Sequence, residues 1–437
     1  MAKKKPNAKS LRRRPWIYLG VLGGLILLFL GVAQLPGVHE RVYYHYTQAR
    51  AKIYYFFRKP QEQVFVPMQE AQAKASPSAV PGTATQAAVT PTTALASPSP
   101  SVQASPSPSA VALPAKAQIE GIEPEKQGLN NCGPTTLGMY LNFWGVQADQ
   151  HQIAAVIHQK EDDRNVGLDE MRDYVLANTQ LKAILRHGGS FEMLKKMVSQ
   201  GFPVMLERGF YTANTHEWMG HYGLVTGYDD ALQTVHVPDT YHGHTDFKMQ
   251  ELERLWMHFS YTYLLVYPED KEAEVRALLG EDWDEDKNGA HSEAIMRQRA
   301  LTEAPETYPE DAFFARFGIG NLLVLQKAYA EAAAAFDEAF KTYAKLPIYK
   351  RPFRVMWYQF GPYEAYYQTE RFQDCVNLAQ NTIANSSASG LEESWYWRGK
   401  CTEGLGDKNS AIWYYKKALE WHPGWQPALE ALEMLGE

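Results

Sequence analysis

Three residue types suited to nucleophilic chemistry follow one another along the chain: Cys132, His221 and Asp239. After Cys132, the apolar residues Leu137, Tyr140, Leu141 and Trp144 fall at helical spacing, and Gly145 ends the run. Pro134 fits a first helical turn, where its missing N–H needs no partner. The spacing therefore predicts Cys132 at a helix N-terminus, whose positive end favours the thiolate, the attacking form of cysteine. His221 to Tyr228 reads as a strand, Asp229 to Gln233 as a turn, and Thr234 to Asp239 as a returning strand. With the turn centred on residue 230, His221 and Asp239 face each other across a hairpin, their Cβ atoms about 4.5–5.5 Å apart. A carboxylate so placed holds an imidazole in the tautomer a general base needs.

These residues also carry a resemblance. Asn131 to Pro134, Gly220 to Tyr228 and Val235 to Asp239 resemble the Cys, His and Asp motifs of the peptidases that process double-glycine bacteriocin leaders. More closely, they resemble that group's broad family of relatives within the papain-like superfamily. Leu194 to Glu207 resembles the helix and strand that lie between Cys and His in that family. The resemblance spans roughly residues 119–267. It implies a papain-like α+β fold, with Cys132 as nucleophile, His221 as general base and Asp239 as the residue that orients it. It also implies an oxyanion donor shortly before the cysteine: Gln127 is the candidate, with Asn130 and Asn131 as alternatives. The leader-processing members sit on transporters and work in the cytoplasm, so their substrate does not carry over to a domain expected outside the membrane.

That expectation rests on the N-terminal segments. Residues 1–15 hold Lys3, Lys4, Lys5, Lys9, Arg12, Arg13 and Arg14 and no acid. Trp16 to Leu35 is uncharged and long enough to cross a hydrocarbon core as a helix. The basic excess before it predicts a signal anchor with a cytoplasmic N-terminus and everything later outside. Residues 36–70 form a juxtamembrane segment rich in Tyr and Phe among Arg and Lys. Residues 71–115 are nearly all Ala, Ser, Pro, Thr and Val, a composition that reads as a disordered linker tethering the folded part off the membrane. The formal net charge of -7 over 437 residues argues against a nucleic-acid partner. Three cysteines are too few for a disulfide framework, and Cys375 and Cys401 read as small core residues, with a disulfide between them as the alternative.

The α+β domain is expected over residues 116–270, a connector over 271–307 and an all-α domain over 308–437. In the last, Gly320, Ala332, Phe336 and Ala339 recur at the same offsets as Gly399, Ala411, Tyr415 and Ala418, a pattern similar to tetratricopeptide repeats. Such stacks bind peptides or proteins along a concave face. Trp357, Tyr366 and Tyr367 read equally as groove or core. Asp284 to Gly289 matches half of a calcium loop, but Ile295 stands where the bidentate Glu belongs, so a polar interdomain turn is expected. His236, His242 and His244 lack companion ligands and read as solvated. No cofactor or metal is called for. Two functions emerge: a membrane-anchored extracytoplasmic cysteine peptidase acting on a peptide or protein, with the repeats recruiting substrate or partner, or a non-catalytic surface scaffold.

Overall fold

The computed structural model describes residues 36–68 and 113–437, apart from 158–159, 161–162, 164, 212–216 and 388–389. The expected anchor at 16–35 and most of the linker lie outside them, and among the described residues no helix is long and apolar enough to cross a membrane. The first helix is α1 (Pro36–Phe57). An α+β part follows: β1 (Lys116–Gln118), α2 (Cys132–Phe143), α3 (Gln150–Ile157), α4 (Leu168–Asn178), β2 (Lys182–Arg186), α5 (Phe191–Ser199), β3 (Val204–Tyr211), β4 (Trp218–Val225), β5 (Gly227–Asp229), β6 (Thr234–Asp239), β7 (Gly243–Lys248), α6 (Met249–Met257) and β8 (Tyr263–Tyr267). The rest is helical: α7 (Glu272–Leu279), α8 (Glu285–Leu301), α9 (Asp311–Leu325), α10 (Tyr329–Lys345), α11 (Gly361–Gln368), α12 (Phe372–Ala384), α13 (Glu392–Gly404), α14 (Lys408–Trp421) and α15 (Gln426–Leu435).

Helix α2 is buried from Gly133 to Leu141, so it packs as a central rod rather than as an amphipathic surface helix. Gly133 allows the close approach: a Cβ there would meet the Tyr222 ring of β4 at 3.3 Å. Tyr140 fixes the far end, its hydroxyl donating to the Pro203 carbonyl and accepting from Val266 N–H at 2.9 Å. Gly145, with φ of 80°, turns the chain away after the helix.

Two antiparallel sheets form, in the orders β2-β8-β3-β4 and β1-β5-β6-β7. This corrects the hairpin expected from the sequence. β6 pairs with the short β5, Tyr228 opposite Val235, while β4 pairs with β3, His221 opposite Arg208. The chain changes sheets at Thr226, and His221 and Asp239 meet at the junction between sheets, not as cross-strand neighbours.

In the helical part the repeated small residues sit where neighbouring rings press: a Cβ at Gly320 would strike Phe336, and one at Gly399 would strike Tyr415. Trp357 and Tyr366 are buried and belong to the core. Cys375 and Cys401 are joined as a disulfide, Cα atoms 6.1 Å apart, which corrects the expectation of two core thiols; adjacent packed helices, α12 and α13, bring them together across 26 residues. Asp284 accepts from Lys287 N–H at 3.0 Å and caps α8, so the calcium-like stretch is a helix start and not an open turn.

The segment after α1 also differs from expectation. Phe65 packs into the helical part, its ring 4.9 Å from that of Phe340, and Met68 N–H donates to Asp374 Oδ1 at 2.7 Å. The Tyr228 hydroxyl donates to Pro114 O at 2.6 Å. The stretch between residues 68 and 113 thus leaves from and returns to the folded body, and it does not space that body from residue 35. Phe65→Ala is expected to destabilise the protein by about 3 kcal/mol. Urea unfolding of a form beginning at Pro36 measures this, and an unchanged midpoint would refute the docking.

Candidate active site

The centre of the site is the carboxylate of Asp239, whose side chain is fully buried at the end of β6. Its Oδ2 accepts from Arg208 Nη2 at 2.7 Å and faces His221 Nε2 at 3.1 Å. Its Oδ1 accepts the backbone N–H groups of Tyr241 at 2.8 Å and His242 at 2.9 Å. Burial alone would raise this carboxyl, but the hydrogen bond and charge of His221, the Arg208 guanidinium and the backbone donors hold it well below the usual range. A permanently ionised Asp239 makes Nε2 of His221 the N–H donor, which leaves Nδ1 as the proton acceptor.

Cys132 stands at the first helical position of α2, and the N–H groups of Gly133 and Tyr222 are directed at its sulfur. Tyr222 follows His221 on β4, so this contact seats the thiol beside the strand that carries the imidazole. The thiolate expected from the helix terminus is opposed by burial. Burial pushes the Cys132 thiol up to about 12, outweighing those two donors, and Glu207 and Asp239 add to the rise. Burial likewise lowers His221, and Arg208 and His242 oppose its protonation despite Asp239. Both shifts favour the neutral thiol and the neutral imidazole.

Gln127 is tied to the residue after Asp239: its N–H donates to Thr240 O at 3.2 Å, and Thr240 Oγ1 donates to Gln127 Oε1 at 2.7 Å. With the oxygen occupied, Nε2 is held as a donor. The alternatives are otherwise engaged, Asn130 Nδ2 donating to Asp163 O at 3.1 Å and Asn131 Nδ2 to Gln150 Oε1 at 3.3 Å. Gln150 organises this loop: Oε1 also accepts from Gly128 N–H at 2.7 Å, and Nε2 donates to Glu125 Oε1 at 2.7 Å.

Arg208, Glu207, Gln150 and Thr240 were not singled out from the sequence. A signal existed for the first two, since a Glu-Arg pair interrupts an otherwise apolar strand, β3. Arg208 lies with its guanidinium 4.5 Å from the Phe247 ring centre, and its Nε has no hydrogen-bond partner among the described residues. Glu207 is driven up to about 8 by burial and then by Asp169, against a hydrogen bond with Tyr222. The Tyr222 hydroxyl lies 3.1 Å from Glu207 Oε1 and also reaches Val166 O. One hydroxyl hydrogen serves only one of these oxygens, and a protonated Glu207 supplies the second.

Residues 112–264 match the family described as Peptidase_C39 like family. That stretch holds β1 to β7 and the start of β8, α2 and all four residues expected to do chemistry, so the chain carries a C39-like peptidase fold followed by a helical region. Among solved structures, a C39-like peptidase from Bacillus anthracis is 18% identical and covers 35% of this chain and 98% of its own, with a TM-score of 0.30. A double glycine motif protease from an AMS/PCAT transporter, in complex with the leader peptide, is 17% identical over 35% of this chain and 94% of its own, with a TM-score of 0.26. No curated protein matches.

Two measurements probe the electrostatics. Alkylation of Cys132 by iodoacetamide at neutral pH should be slower than that of the same thiol in the unfolded chain and should rise with pH without an acid plateau; a plateau near pH 5 would reveal a resting thiolate instead. For Glu207, the folded chain holds a proton up to about 8 that the unfolded chain releases near 4.5. Its contribution to stability therefore falls as pH rises through that window and levels off above it. Glu207→Gln should flatten this decline in urea unfolding between pH 5 and pH 8, and an unchanged slope would show the carboxylate ionised.

Proposed function

We propose that the chain is a membrane-anchored cysteine peptidase that hydrolyses peptide bonds outside the membrane through Cys132, His221 and Asp239. The observation that carries this reading is the saturated Asp239 carboxylate, which fixes the His221 tautomer on the strand whose next residue, Tyr222, meets Cys132 at a helix N-terminus. His221 Nδ1 takes the thiol proton as Sγ attacks the carbonyl. Gln127 Nε2, with the Cys132 N–H, binds the developing oxyanion. His221 returns the proton to the leaving amine, and water then releases the acyl-enzyme. The family match over residues 112–264 supports a peptidase. A peptide substrate is supported by the leader peptide bound in the double glycine motif protease.

Residues 16–35 anchor the chain with its N-terminus in the cytoplasm, on the evidence of the seven basic residues ahead of an uncharged stretch. The Cys375–Cys401 disulfide suits the oxidising side of a membrane. The helical part, domain-like over 308–437 and preceded by the connector at 271–307, is built of tetratricopeptide-like pairs that recruit a substrate or partner, as the ring-over-glycine packing of Gly320 and Gly399 supports.

Hydrolysis of a diverse peptide library by a form beginning at Pro36 tests the proposal. Cleavage is expected with wild type and not with Cys132→Ala. Gln127→Ala should lower kcat by about 10²–10³ with little change in KM. Folded wild type that cleaves nothing under conditions that keep Cys132 reduced would favour the scaffold.

A further inference from the structure

A second cluster of functional groups lies where the α+β part meets the helical part. Asp163, just before α4, Glu392, which opens α13, and His422, which ends α14, bring one ligand atom each within 4.8 Å of the others. Glu392 is 2% exposed. Its Oε1 lies 3.2 Å from His422 Nδ1, while its Oε2 is buried and no donor among the described residues reaches it. An anionic oxygen shut away from water without a donor is costly, and here it faces a second buried carboxyl, since Asp163 is also 2% exposed.

We propose that Asp163, Glu392 and His422 form a divalent-cation site of the zinc type that clamps the helical part to the α+β part. The donor set chooses the metal class. An imidazole nitrogen with two carboxylate oxygens suits zinc, whereas calcium and magnesium prefer oxygen alone. With bonds of about 2.1 Å, tetrahedral ligands stand about 3.4 Å apart; Glu392 Oε1 and His422 Nδ1, at 3.2 Å, already have that spacing, and no pair of ligand atoms exceeds 4.8 Å. Three protein ligands leave a fourth position for water or for one of the neighbouring carboxylates. The chain spacing hides the site from sequence reading: its ligands come from three separate segments, with no pair at helical or turn spacing.

The clamp reaches the nucleophile's loop. Asp163 O accepts from Asn130 Nδ2 at 3.1 Å, and Asn130, two residues before Cys132, holds a left-handed φ of 58°. A cation on Asp163 would therefore steady the turn that delivers Cys132 to α2. This inference does not depend on peptidase activity.

The test uses the full chain in detergent with Cys132→Ser, which removes the thiol as a competing ligand, after stripping with a chelator. Zn²⁺ alone is titrated by calorimetry and by thermal unfolding. One saturable site per chain and a rise of several degrees in Tm are expected. Glu392→Gln and His422→Ala should each weaken that site at least about tenfold, while His244→Ala on the surface leaves it unchanged. X-ray absorption of the zinc-loaded protein should show only nitrogen and oxygen ligands, an observation that stands even if a variant folds poorly. Absence of saturable binding, or binding that follows His244, would overturn the proposal. So would a zinc-indifferent protein in which Glu392→Gln raises Tm, since the two carboxyls would then share a proton.

Discussion

Everything at the candidate active site depends on keeping one carboxylate ionised where water cannot reach it. Asp239 manages this with four donors drawn from three places: a guanidinium on β3, an imidazole on β4 and two amides of its own following turn. A buried charge left unpaired costs several kcal/mol, so removing any one of these elements penalises the others. Arg208 is the least replaceable. It neutralises Asp239 within the protein, which lets His221 remain neutral and able to accept a proton. Had the imidazole been the sole counter-ion, Asp239 would have drawn a proton onto it and removed the base.

The cysteine follows from the same desolvation. Two amides reach Cys132, one from the helix terminus and one from β4, yet burial outweighs them and two nearby acids add a little to the rise. The helix terminus therefore prepares a place for negative charge without creating that charge in advance.

The residues expected to react stand out in the sequence because each sits in a locally recognisable setting: cysteine before a buried helical run, histidine inside an apolar strand, aspartate at a strand end. Their mutual geometry was less so. The hairpin inference brought His221 and Asp239 together, although the strands belong to different sheets, because a strand that changes sheets reads locally like a continuous one. Arg208 stood out only as half of a Glu-Arg pair in the apolar strand β3, with no spacing that tied it to Asp239. The disulfide was the less favoured reading because Cys375 and Cys401 look like core residues, and they are indeed fully buried. The docking of Phe65 was hidden because it depends on helices almost three hundred residues away.

The helical part does more structurally than follow the α+β part. Trp218, which opens β4 three residues before His221, is packed against Phe314 of α9 at 4.9 Å, and Arg354 Nη1 donates to its carbonyl at 3.3 Å. A Cβ at Gly220 would lie 2.9 Å from the Tyr358 ring, so the strand bearing His221 is pressed from outside by the helical region. One hydrophobic core runs without a break from Leu137 of α2 to Cys401 of α13. Severing the chain between the parts would uncover Trp218 and loosen the strand on which His221 depends. The strand that carries His221 and the helical part are thus coupled by direct packing.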